Sequence, residues 1–257
     1  MLPMRKTLLI FSLLLLCLFS SCVEESPEPV YIPETVSPEE RKLLRTETIN
    51  DITYGIYNDN TAELLEIAPW DLGDTLILPE KIGNHTLVAI GKEVFLSSSF
   101  KEITLPGTVI FIGERAFQKS SIEKITLPDS VTKIGKEAFD NCLYLNEVSF
   151  GKGLKEIPLG CFFGCSSLTE IHLPEGVESI GEEAFASLSA LKSLSLPSSL
   201  KEIDAYAFWN SGAFPLSVNI PNGIISIGEE AFAGKHSHTF RYSGENVEVK
   251  NALGLNS

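Results

Sequence analysis

The stretch ITLPDSVTKIGKEAFDNC, Ile125–Cys142, decides the fold because the chain writes it repeatedly. ITLPGTVIFIGERAF stands before it at Ile103–Phe117, and IHLPEGVESIGEEAF after it at Ile171–Phe185. One phenylalanine column runs through Phe95, Phe117, Phe139, Phe162, Phe185, Phe208 and Phe232, at spacings of 22 to 24 residues. Ile90, Ile112, Ile134, Ile157, Ile180, Ile203 and Ile227 keep step with it, as do Leu105, Leu127, Phe150, Leu173, Leu196 and Ile220. A fixed period of this length marks a repeat architecture.

Within one unit, Leu168, Ile171 and Leu173 are apolar while Glu170 and His172 between them are polar. Period two predicts a strand with one buried face. Pro174 closes it, because proline has no N–H for a ladder. Val177 and Ile180 then predict a second short extended piece, and Ala184 and Phe185 a tight return. The period leaves no room for a strand, a long helix and another strand. Such a coil buries its apolar edge only against copies of itself. Each buried Phe or Ile is worth roughly 1.5–3 kcal/mol, most of it offset by chain ordering.

Glycine follows the isoleucine at Gly91, Gly113, Gly135, Gly181 and Gly228, but Pro158 and Asp204 fill the same column. Proline cannot take positive φ. Either the column has negative φ and glycine serves close packing, or the coil at Pro158 bends differently. That coil also has Gly151 where others carry the strand-closing proline, and a local distortion is expected there.

The LP…IG…AF register, over about Ile52 to Phe240, resembles the BspA-like branch of the leucine-rich repeat family of bacterial and protist surface proteins. The resemblance implies a mostly β, curved, right-handed solenoid. Its parallel sheet would lie on the concave side, with turns and extended or short helical segments on the convex side. The solenoid is expected over 41–257. About 48–90 would form its N-terminal cap, in which YNDNT turns a hairpin and IGNHT lengthens the first coil. About 236–257 would form a degenerate last coil.

Ahead of the solenoid, Arg5 and Lys6 precede an apolar run, Leu8–Phe19, too short for a confident membrane span. Residues 1–21 read as a secretory signal peptide. It resembles a bacterial lipoprotein signal, with Cys22 as the lipidated residue and lipid as the only membrane attachment. Glu24 and Glu25 resemble the surface-export signal of Bacteroidetes lipoproteins; a solvated acidic linker is the other reading. Residues 22–40, rich in Pro and Glu, read as a tether. Secretion, lipid anchoring and exposure at the outer membrane follow as expectations.

With 34 acidic against 20 basic residues and a formal net charge of −14, the chain argues against nucleic acid. It contains no catalytic signature and implies no enzyme, cofactor or metal site. Cys142 and Cys165 share one repeat column and are expected to fill a buried slot. Glu182, Glu183, Glu229 and Glu230 recur with the period and read as a solvated face. Asp129–Val131 and Asp74–Leu76 resemble Bacteroidetes O-glycosylation sites.

The informative surface is the outward side of the strands. One row is Thr104, Thr126, Ser149, His172, Ser195 and Asn219. The other is Glu102, Lys124, Glu147, Glu170, Ser193 and Ser217. Repeat arrays bind partners with such faces; equally, small polar residues keep a sheet soluble. Trp70, Trp209 and Tyr206 lie elsewhere and are possible anchors. The resemblance implies adhesion to a host or microbial surface protein. A glycan-capturing lipoprotein of a nutrient-uptake system is the alternative.

Overall fold

The computed structural model describes residues 41–67 and 73–255. The signal segment, Cys22, the tether and Trp70 lie outside them.

The N-terminal end is antiparallel. β1 (Leu43–Ile49), β2 (Ile52–Tyr57) and β3 (Thr61–Ile67) form two hairpins, turning at Asn50-Asp51 and at residues 58–60. Strand β1 was not expected, since it precedes the first recognisable repeat letter. β4 (Thr75–Ile77) opens the first coil. IGNHT does more than lengthen that coil: β5 (Lys81–Ile82) and β6 (His85–Ile90) pair antiparallel about Gly83, whose φ is 58°.

Each later coil adds a three-residue strand and a two-residue strand. The first pairs are β7 (Glu102–Thr104) with β8 (Phe111–Ile112), β9 (Lys124–Thr126) with β10 (Lys133–Ile134), and β11 (Glu147–Ser149) with β12 (Glu156–Ile157). Next come β13 (Glu170–His172) with β14 (Ser179–Ile180), and β15 (Ser193–Ser195) with β16 (Glu202–Ile203). The last are β17 (Ser217–Asn219) with β18 (Ser226–Ile227), and then β19 (Thr239–Arg241). Three-residue strands pair in parallel with three-residue strands, and two-residue strands with two-residue strands. The result is a mostly β, parallel solenoid of about eight turns. The convex-side helices allowed by the sequence reading do not form among the described residues: two-residue strands and turns take their place. A helix closes the C-terminal end instead, α1 (Val247–Ala252), where the Asn246 side chain accepts hydrogen bonds from the N–H groups of Glu248 and Val249. It falls in the segment that has lost the repeat letters.

The repeat letters meet as the spacing requires. Consecutive rings from Phe95 to Phe232 stack with centroids 4.8 to 5.4 Å apart and planes within 12°. Ile90, Ile112, Ile134, Ile157, Ile180 and Ile203 are buried in the same core. Ile52, Tyr54, Ile56, Ala62 and Leu64 continue that core over its N-terminal end.

A feature absent from the sequence reading lies in the return turns. Glu93, Arg115, Glu137, Gly160, Glu183, Tyr206 and Glu230 all have left-handed backbone, and so do Ser97, Lys119, Asn141, Gly164, Ser187, Asn210 and Gly234 four residues later. This costs a residue with a Cβ about 1–2 kcal/mol. It turns alternate N–H groups toward the next coil: Phe95 donates to Ala116 O at 2.7 Å, Phe117 to Ala138 O at 2.7 Å, and Phe139 to Cys161 O at 2.8 Å. The turns thus carry a third inter-coil ladder, whose hydrogen bonds offset the strain.

The glycine column serves close approach. None of Gly91, Gly113, Gly135, Gly181 or Gly228 is left-handed. A Cβ on Gly135 would stand 2.3 Å from the Glu114 nitrogen of the preceding coil. The distortion expected in the coil of Pro158 is confined to one ladder. Gly113, Gly135, Gly181, Asp204 and Gly228 each donate from N to the isoleucine-column carbonyl of the preceding coil, whereas Pro158 has no N–H to give. The two-residue ladder accordingly stops at β10 and restarts at β12. Asp204 keeps its bond, at 2.8 Å to Ile180 O, so a Cβ in this column does not by itself break the ladder.

Candidate functional site

The strand faces sort as the alternation predicts. Ile103, Ile125, Ile171 and Val218 are buried. Their neighbours Glu102, Thr104, Lys124, Thr126, Glu147, Ser149, Glu170, His172, Ser195, Ser217 and Asn219 are exposed. Ser193 alone of the twelve is half-buried. Pairing brings Glu147 beside Lys124, Lys124 beside Glu102, Glu170 beside Ser193 and His172 beside Ser195. The backbone ladder of this face is interrupted between β11 and β13 and between β15 and β17, so the row is held as segments.

Charges on the face are partly paired. Lys124 Nζ lies 3.2 Å from Glu147 Oε2, and His172 Nε2 lies 3.3 Å from Glu170 Oε2. All four side chains are more than half exposed, so these contacts tune the surface charge and contribute little to stability.

The rows extend one strand further than the sequence reading placed them. In the register of β17 and β19, Ser217 faces Thr239 and Asn219 faces Arg241. The signal was present in Thr239-Phe240-Arg241, which repeats the polar–apolar–polar order of Ser217-Val218-Asn219. At that end an open depression of about 860 Å³ is lined by Asn219, Phe240, Arg241, Tyr242 and Lys250, among others. The face therefore runs from glutamates near its start to two cations at its end.

A second surface feature was also missed. Leu143 and Tyr144, 50% and 61% exposed, occupy positions where the following coils have Ser166-Ser167 and Ser189-Ala190. Stacking needs only the flanking Cys142 and Leu145, both buried. Two apolar residues beyond that need were the available signal. With Lys119, Ser120 and Asn141 they line a shallow depression of about 390 Å³.

The remaining candidates serve the scaffold. Cys142 and Cys165 are buried free thiols whose Sγ groups donate to Phe117 O and Phe139 O, at 2.9 and 3.1 Å. Burial pushes the Cys161 and Cys165 thiols up. Ser130, in one of the glycosylation-like triplets, spends its hydroxyl on Val109 O at 2.6 Å. Glu182, Glu183, Glu229 and Glu230 are exposed on the return turns. Glu229 and Glu230 chiefly, then burial, Glu182 and Glu183, push the Tyr206 phenol up. Trp209 is 39% exposed. Among the described residues no three His, Cys, Asp or Glu side chains form a metal-holding group. No helix there is long and apolar enough to cross a membrane.

Comparison with known proteins agrees with this geometry. The family described as BspA type leucine rich repeat region matches residues 88–215 in six copies. Among solved structures, the chain is similar to a leucine rich cell surface protein from Faecalibacterium prausnitzii, at 25% identity and a TM-score of 0.67 over 78% of this chain and 55% of that one. It is also similar to a leucine-rich repeat protein from Eubacterium ventriosum, at 26% identity and a TM-score of 0.69 over 78% of this chain and 52% of that one. A leucine-rich repeat protein from Bacteroides ovatus shares the fold at 21% identity and a TM-score of 0.50, with 77% and 71% covered. The chain spans about half the length of the first two. No curated protein matches it, and no enzyme family is indicated. The stacked phenylalanines, the parallel ladders and the matched repeats together place the chain in the BspA-type leucine-rich repeat family.

Proposed function

We propose that the chain is a non-enzymatic surface protein that recognises a protein partner across the face of its three-residue strands. One observation carries this reading. Exposed polar side chains stand in two rows on that face while the alternate residues of the same strands face the core. Side chains there are free to vary with a partner and cost the fold little, as in other repeat arrays. The gradient from Glu102, Glu147 and Glu170 to Arg241 and Lys250 gives a partner an orientation. Leu143 and Tyr144, exposed in the turn that precedes β11 in sequence, offer an apolar anchor of the kind that protein interfaces favour. None of the twelve row residues is aromatic, whereas a glycan-capturing reading calls for ring platforms on the face.

Display belongs to the same proposal. Lipidation at Cys22 would anchor the chain, and the Pro/Glu-rich tether would hold the solenoid away from the membrane. It rests on the first forty residues of the sequence.

The test is affinity capture from host-cell and bacterial surface extracts, run beside a glycan array. The expected result is a protein partner whose affinity falls at least tenfold in Glu147→Ala, Glu170→Ala and His172→Ala combined. Undiminished binding by that variant, or binding on the glycan array alone, contradicts the proposal.

A further inference from the structure

The first strand carries a second interaction surface, independent of the strand face. β1 lies at the edge of its sheet and, among the described residues, pairs only with β2. It is seven residues long, and Leu43, Leu44 and Ile49 on it are 46%, 55% and 39% exposed. An open edge of that length is a template for another strand.

The backbone says which groups are available. Ile49 faces Ile52 across the two-residue turn, so that pair exchanges both of its N–H···O bonds and the pattern alternates from there. Thr48 faces Thr53 in the next pair, with their hydroxyls 3.0 Å apart, as befits a pair that exchanges none. Thr48 and Thr46 therefore turn their N–H and C=O groups away from β2.

The side chains say which occupant fits. We propose that β1 pairs antiparallel with β1 of a second copy of this chain, about a two-fold axis at Thr46. In that register Arg45 of each copy faces Glu47 of the other. Opposite charges in directly facing positions stabilise an antiparallel pair, and like charges oppose it. Centring the pair on Thr48 sets Glu47 against Ile49, and centring it on Leu44 sets Arg45 against Leu43; only the Thr46 register satisfies both charges. A two-fold arrangement also makes one patch serve both partners. In the single chain Arg45 Nε donates to Glu47 Oε1 at 2.8 Å, so both side chains already lie on one side of the strand. The register shift between Leu43 and Arg45 confines regular pairing to Arg45, Thr46 and Glu47 of each copy. The interface is consequently small and the dimer weak.

Sedimentation velocity of the full chain tests this, with dimer expected at about 200 µM and monomer at about 1 µM, as for a small interface. Arg45→Glu and Glu47→Arg should each weaken the dimer at least tenfold. Mixing the two variants should restore a heterodimer, and so should both changes in one chain. Thr46→Lys, which sets two like charges on the axis, should abolish pairing by a different route. A wild-type monomer at about 200 µM overturns the proposal, as do single variants that dimerise as wild type does. Hydrogen exchange separates the other occupant. Protection of the Thr46 and Thr48 amides that is equal at both concentrations means that the chain's own N-terminal segment covers the edge, which also overturns it.

Discussion

Two neighbouring junctions of the stack are built differently. Between Ile112 and Ile134 the two-residue strands pair, and Gly135 donates to Ile112 O at 2.7 Å. Between Ile134 and Ile157 that ladder is missing, and Pro158 brings no donor to Ile134 O. The phenylalanine stack does not register the difference: the rings stand 4.9 Å apart at the first junction and 5.0 Å at the second. The return-turn ladder also continues through the second, with Glu137, Phe139 and Asn141 donating to Leu159, Cys161 and Phe163 at 2.7 to 2.9 Å. Side-chain stacking, the return turns and the three-residue ladder from β9 to β11 thus hold the register, and the two-residue ladder is dispensable there.

The sharpest way to break this comparison is to remove a ring on each side. Phe117→Ala and Phe162→Ala should each cost about 3–5 kcal/mol in chemical denaturation. If stacking holds both junctions, the loss at Phe162, beside the broken ladder, is at least as large as at Phe117. Gly135→Ala comes next: its Cβ meets the Glu114 backbone, and overpacking of this kind costs about 1–3 kcal/mol. Ser187→Gly works in the opposite direction. Ser187 is left-handed at φ 61°, and relieving a Cβ there should raise stability by about 1 kcal/mol. The smallest effect is expected at the broken ladder itself. Pro158→Ala restores a donor worth about 0.5–1.5 kcal/mol, offset by the greater freedom of the unfolded chain, so the net change should stay within about 1 kcal/mol. Hydrogen exchange on that variant should show new protection at residue 158.

The architecture was legible because stacking is repetitive: Phe139 and Ile134 announce their role by recurring every coil. The distortion at Pro158 was legible because proline's missing N–H has one consequence wherever a ladder passes. The left-handed turns were not. Glu93, Arg115 and Tyr206 hold a conformation that is marked in sequence only where Gly160, Gly164, Gly234, Asn141 or Asn210 takes its place. Strand β1 was missed because it pairs outside the period. The outward rows were placed correctly by alternation, yet their last members, Thr239 and Arg241, fell in a segment that has lost the LP…IG letters. Which molecule these rows meet is not encoded by period at all, since nothing in stacking constrains Glu147 or His172.

The central claim is that letters which stack specify the fold and letters between them are free for recognition. Thermal unfolding of the triple variant Glu147→Ala, Glu170→Ala and His172→Ala, run beside Phe139→Ala, tests it most directly. At about 2–4 °C per kcal/mol for a chain of this size, the face variant should melt within about 2 °C of wild type and Phe139→Ala roughly 10 °C lower. A face variant that loses as much as Phe139→Ala would contradict the account.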